Sequence, residues 1–142
     1  MSSKVFTYDP KLVTFTYAGL IISGYADGTF IHLERNADMW ALKMGADGIG
    51  TRAKSNDRSA KITLTLQQSS SVNDQLSALA SADELTNSGA APWLLRDASG
   101  RTLCSALTAW IVKYPGFDFA KEVTDRAWIF ETNDAEVFIG GN

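Results

Sequence analysis

At 142 residues, with 45% hydrophobic and 20% charged side chains, the chain has the composition of an ordinary globular domain and not of a disordered segment. Its formal net charge of -3, with Lys and Arg scattered among Asp and Glu, excludes the clustered basic surface that stable nucleic-acid binding requires. No apolar run reaches the roughly 20 residues needed to cross a bilayer, and "MSSKVFTYDPK" has no secretory apolar stretch, so the expectation is a chain that stays in the cytoplasm where it is made.

The first segment, "VTFTYAGLIISGY" from Val13 to Tyr25, is rich in β-branched and aromatic residues and broken by Gly19, which predicts two strands or one strongly bent strand. Asp27-Gly28 in "ADGT" is a hairpin signal. In "FIHLERN", Phe30, His32 and Glu34 alternate with Ile31, Leu33 and Arg35, and in "MWALKM" Trp40, Leu42 and Met44 share a face. A connector then runs from Gly45 to Ala60, far longer than the two to five residues a hairpin turn needs. It is rich in glycine and charge and nearly free of apolar anchors. "AKITLTLQQ" follows as a strand with one dry face: Ile62, Leu64 and Leu66 against Lys61, Thr63, Thr65 and Gln67.

The period then changes. Val72, Leu76, Leu79 and Ala80 recur at helical spacing, which predicts one helix over about 71–84. Ser71 is its expected cap, Asp74 complements its first turn, and Gly89 and Pro92 mark its exit. A narrow apolar stripe places this helix on the outside of a sheet. "PWLLRD", "LCSALTAWIVKY" and "TDRAWIFET" complete a mainly antiparallel set, joined by the "DASGRT" turn and the "PGFDFAKEV" connector. The tail "NDAEVFIGGN" adds a short strand. No repeat or composition break divides 1–142, so one domain is expected.

Catalytic and metal-binding patterns are missing. Cys104 is the only cysteine and lies in an apolar strand without an adjacent base, so a buried, inert thiol is expected. His32 is the only histidine and sits in an alternating strand, where a half-exposed structural role is expected. "GADGIG" has the wrong glycine order for a phosphate loop and leads into a strand, and no G-x-S-x-G elbow occurs. Asp47 and Asp57 lack calcium-loop spacing, and Asp83-Glu84 at a helix end reads as solvated surface. Neither an enzyme nor a cofactor is expected.

Across Trp40 to Ala82 the chain resembles the tail tube proteins of contractile-tailed bacteriophages: a strand into "GADG-x-G", a basic and polar loop, the alternating "KITLTLQQSS", then a helix opening "SVNDQLSAL". The resemblance implies a mainly β fold, an antiparallel β-sandwich or half-barrel with one flanking helix and a long inter-strand loop. It also implies six copies closing into rings that stack as a hollow tube for DNA ejection. Tail sheath, a baseplate or tube initiator and a tape-measure protein are the implied partners, with DNA passing unbound and no membrane. The implied location is the virion tail, assembled in the host cytoplasm. Pyocin and type VI secretion tubes look similar and remain alternatives, as does a carbohydrate or small-ligand β-sandwich using its Trp and Tyr for stacking. Trp40, Trp110 and Trp128 lie in strand patterns, however, so core packing is expected for most of them.

On this reading the connector is an assembly arm. Gly45, Gly48 and Gly50 would supply turns, while Arg52, Lys54 and Arg58 would meet a neighbour's carboxylates; Asp47, Thr51 and Asp57 complete the loop. Lys61, Thr63, Thr65 and Gln67 are the expected lumen face, with Lys61 counting against a uniformly negative channel.

Overall fold

A computed structural model gives the fold, and describes residues 4–141. The N-terminal "VTFTYAGLIISGY" splits into β1 (Thr14–Tyr17) and β2 (Leu20–Ile21). The reversal falls on Ala18 and Gly19, whose φ values of 53° and 78° are the paired left-handed conformations of a tight hairpin turn. Of the two predicted alternatives, two strands form.

Asp27-Gly28 turns the chain but makes no hairpin. Tyr25 lies opposite Leu66, and Ile31, the first residue of β3 (Ile31–Arg35), lies opposite Leu64. Both flanks are therefore drawn onto one edge, that of β6 (Ala60–Gln67), and residues 27–29 bulge out between them. The hydrogen bonds Ala26 N to Thr65 O (3.1 Å) and Thr65 N to Phe30 O (2.8 Å) hold that excursion closed. The turn signal is local, whereas the partner is chosen by the apolar face that β6 presents.

The helix α1 (Val72–Thr86) is one residue later at its start than expected and two longer at its end. Ser71 does not cap it: its backbone is already helical and its side chain makes no capping bond. Ser70 does this work instead, accepting from Val72 N at 3.3 Å while donating to the Ser23 carbonyl at 2.9 Å. At the other end Asn87 takes the left-handed cap conformation, and the Asp83 carboxylate accepts from Gly89 N at 2.8 Å. Asp83 thus closes the helix exit where solvated surface was expected.

Completing the fold are β7 (Ala91–Arg96), β8 (Leu103–Lys113), β9 (Asp125–Thr132) and β10 (Glu136–Phe138). The main sheet runs β2-β1-β7-β8-β9-β6-β3, every neighbour antiparallel, with β10 against the first residues of β8. This is the expected antiparallel class with one flanking helix. The sheet stays open but curls strongly. Two strands separate β1 from β9, about 14 Å along a flat sheet, yet the Phe130 ring meets Phe15 at 5.5 Å and Tyr17 at 5.0 Å, edge to face. Irregular register in β7 between Ala91 and Trp93, and in β8 between Ile111 and Lys113, provides the bends.

Inside the curl lie Ile62, Leu64 and Leu66, as their alternation required, with Phe15, Trp93, Trp128, Phe130 and Cys104. Val72 and Leu76 are the helix residues that enter this core; Leu79 packs at its margin, and Trp128 donates to the Asn73 side chain at 2.9 Å. The buried Cys104 thiol is pushed up in pKa by desolvation, which keeps it protonated and unreactive.

Candidate assembly surface

The connector from Gly45 to Ala60 contains a strand that alternation could not reveal. β4 (Trp40–Met44) pairs residue by residue with β5 (Gly50–Lys54), from Trp40 opposite Lys54 to Met44 opposite Gly50. Thr51, Arg52 and Lys54 are therefore strand residues, not loop residues. β5 escaped notice because Gly-Thr-Arg-Ala-Lys offers no apolar period. The available signal was Asp47-Gly48: Gly48 N donates to Gly45 O (3.1 Å), Gly45 N donates to Ile49 O (2.8 Å), and Gly48 has φ 87°. That is a type I turn closed by a left-handed glycine, a standard hairpin connection. Asp47 stabilises it by accepting from Ile49 N at 3.3 Å.

This hairpin stands clear of the body. Its two strands form a sheet of their own, and every residue of both is exposed. Its base is tied down by Asn36 N to Ser59 O at 3.0 Å and Ser55 N to Met39 O at 2.8 Å. Arg58 belongs to that base: its guanidinium donates to Asp134 at 2.6 Å within the same chain. Asp57 accepts from the Ser59 backbone and hydroxyl, which holds its carboxyl below the ordinary range.

The arm is not the purely polar element its second half suggests. Trp40, Leu42 and Met44 share one face with Arg52 and Lys54, and the three apolar side chains are 42%, 70% and 57% exposed. Arg52 lies over the Trp40 ring, 3.8 Å from its centre. Met44 and Leu42 reach across to Gly50, where an added Cβ would stand 2.9 Å from the Met44 sulfur. Trp40 is thus the exception to core packing among the tryptophans: β4 pairs only with β5, and no second layer covers it. Trp93 and Trp128 are buried and Trp110 is half-buried, leaving Trp40 as the exposed indole.

The remaining predicted residues lie on the outer face of β6. Lys61, Thr63 and Thr65 are half-buried and Gln67 is exposed. In register, Lys61 sits between Glu34 on β3 and Glu131 on β9, so its charge is locally balanced. His32 shares this face, is exposed, and has Glu34 3.9 Å away. Among the described residues no cluster of three or more His, Cys, Asp or Glu is placed to hold a metal ion, and no helix is long and apolar enough to cross a membrane.

Exposed apolar residues extend well beyond the arm. Phe6, Leu107, Phe119, Val123 and Ile139 are each at least 79% exposed. The protomer exposes 9938 Å² for its 15.4 kDa, against about 7,200 Å² for a compact monomer of that mass. The excess, about 2,700 Å², is of the order that obligate assemblies bury.

The family model for the bacteriophage PhiTE tail tube protein matches residues 14–140. "Structural protein ORF10" of Pseudomonas phage KPP10 is 28% identical over 150 residues, covering 100% of this chain and 87% of that protein. Two solved structures share the fold at 9% identity. One is the anti-feeding prophage cap, which terminates its tube (TM-score 0.63, covering 99% of this chain and 96% of that one). The other is the sheath/tube terminator of the extracellular contractile injection system PVC (TM-score 0.61, 96% and 100%). With its matched region spanning the main sheet, the helix and the projecting arm, this chain belongs to the bacteriophage PhiTE tail tube protein family.

Proposed function

We propose that the chain is the repeating subunit of a phage tail tube, closing into hexameric rings that stack into the conduit through which DNA is ejected, and that it performs no reaction. The observation that carries this reading is the arm: ten paired strand residues, all exposed, presenting an apolar row to no part of their own domain. Isolated hairpins of this size are marginal in water, so a partner surface is the natural source of their order. The excess exposed area and the open sheet point the same way. β2 and β3 end the main sheet with unpaired backbone groups, and ring closure would satisfy them. A head-to-tail contact of that kind is heterologous and closes into a ring, while a second heterologous contact, between rings, can repeat along the tube axis.

The outer face of β6 is assigned to the lumen. Its threonines and balanced Lys61 offer a passing duplex no run of cations to grip. Sheath, initiator and tape-measure proteins would meet the other exposed surfaces, in the virion tail, after assembly in the host cytoplasm.

The test replaces residues 40–54 with a two-residue Gly-Ser turn between Met39 and Ser55, already bonded to each other. The shortened chain should keep its thermal transition within a few degrees and lose rings and tubes in negative-stain images that the full chain shows. A shortened chain that still forms tubes, or a full chain that stays monomeric at high concentration, would overturn the reading.

A further inference from the structure

A groove of about 820 Å³ runs between β3 and β10. Its walls carry Leu33, Leu103, Phe138 and Ile139, with Glu34 and Glu136 at its polar positions. Phe138 and Ile139 are 62% and 80% exposed, so this apolar surface is open to solvent in the protomer. Two cations also border the groove, but both are already engaged within the chain. Arg35 donates to the Ala135 carbonyl at 2.6 Å and Arg58 to Asp134 at 2.6 Å. Glu34 has His32 at 3.9 Å and faces Lys61 across the β3–β6 pairing, and among the described residues neither glutamate forms an ion pair with Arg or Lys. The groove is therefore apolar along its walls and carries at its rim two carboxylates that no Arg or Lys meets at ion-pair distance among the described residues.

The arm has the complementary pattern. Trp40, Leu42 and Met44 run down one face, with Arg52 and Lys54 beside them on the same face. We propose that the groove between β3 and β10 is the seat for the arm of a second copy of this chain, the apolar row entering it while Glu34 and Glu136 meet Arg52 and Lys54. This rests on the tube reading and names the surface that receives the arm.

The chain's own arm does not fill the seat. Met39, at the arm's root, lines the groove, yet Trp40, Leu42 and Met44 beyond it do not. The root is fixed by Asn36 and Ser59, joined through backbone (3.0 Å) and side chain (3.0 Å), so the strands leave the rim outward. Each copy thus owns one arm and one seat, the arrangement a head-to-tail contact saturates.

Charge reversal with cross-complementation tests this. One variant carries Arg52→Glu with Lys54→Glu, and another Glu34→Lys with Glu136→Lys. Sedimentation velocity reads assembly and thermal unfolding reads the fold. Each variant alone should need at least tenfold more protein than wild type to assemble. An equimolar mixture should recover wild-type assembly, because each reversed arm then finds a reversed seat. Lys at position 34 would face Lys61 in register, so Glu34→Gln with Glu136→Lys provides a second seat variant, also expected to lose assembly at the wild-type concentration. Assembly of either charge-reversed variant at the wild-type concentration, or a mixture that stays protomeric, overturns the seat while leaving the tube reading in place. A wild-type chain that never self-associates overturns both.

Discussion

Leucine to alanine at two positions separates the residues that fold the protomer from those that join protomers. Leu64 is fully buried, between Trp128 on β9 and Ile31 on β3. Removing its three outer carbons from a closed core costs about 2–5 kcal/mol, out of a total of about 5–15 kcal/mol for a domain. With a urea slope of about 2 kcal/mol/M, the unfolding midpoint should fall by about 1–2 M. Leu42 is 70% exposed. Full burial of a leucine is worth about 2–3 kcal/mol, so the covered third contributes less than about 1 kcal/mol, and the midpoint should fall by under about 0.5 M. The order reverses in pelleting assays: Leu42→Ala should lose assembly, whereas Leu64→Ala should still assemble wherever it remains folded. Tryptophan fluorescence in urea, at a dilution where only protomers exist, gives the first readout free of mass action. Equal midpoint shifts for the two variants would refute the reasoning, because Leu42 would then pack on its own domain.

Three further outcomes follow from particular contacts. Burial pushes the Tyr17 phenol up to about 12, from an ordinary value of 10. The folded state thus favours the neutral phenol, and its stabilising effect is complete below pH 10 and lost as pH rises toward 12, by about 1.4 kcal/mol per pH unit at most; Tyr17→Phe should flatten that part of the stability profile relative to wild type. Asp134→Ala breaks the ion pair with Arg58, whose partners are 47% and 63% exposed, and calorimetry should show a loss below about 1 kcal/mol that vanishes in high salt. Gly24→Ala should be far more damaging. Its φ of 76° disfavours any Cβ, and that Cβ would lie 2.4 Å from the Ser70 hydroxyl that anchors the helix entry, so a melting point about 7 °C lower is expected for a loss of about 2 kcal/mol.

What could be read in advance divides along a physical line. The alternation of Ile62, Leu64 and Leu66 with Lys61, Thr63 and Thr65 states which face is dry, since strand side chains alternate wherever the strand goes. The same holds for Trp128, Phe130 and Thr132, and the helical spacing of Val72 and Leu76 is equally local. β5 was invisible because a strand exposed on both faces has no apolar period to betray it. Trp40 looked like core for the opposite reason: alternation reports that residues share a face, not that anything covers it. Asp27-Gly28 and Asp47-Gly48 are the same dipeptide with different outcomes. At the second the flanking strands have only each other; at the first, β6 captures both flanks.

The dry face of β6, the helical spacing of Val72 and Leu76, and the family likeness were therefore settled by the amino-acid order, because each depends on neighbours a few residues apart. The curl that brings Phe15 and Tyr17 onto Phe130, the outward aim of the arm, and the pairing of Arg58 with Asp134 were decided by the tertiary structure. They join residues up to 115 positions apart, and strand order, which sets those distances, is chosen by the whole set of competing apolar faces at once.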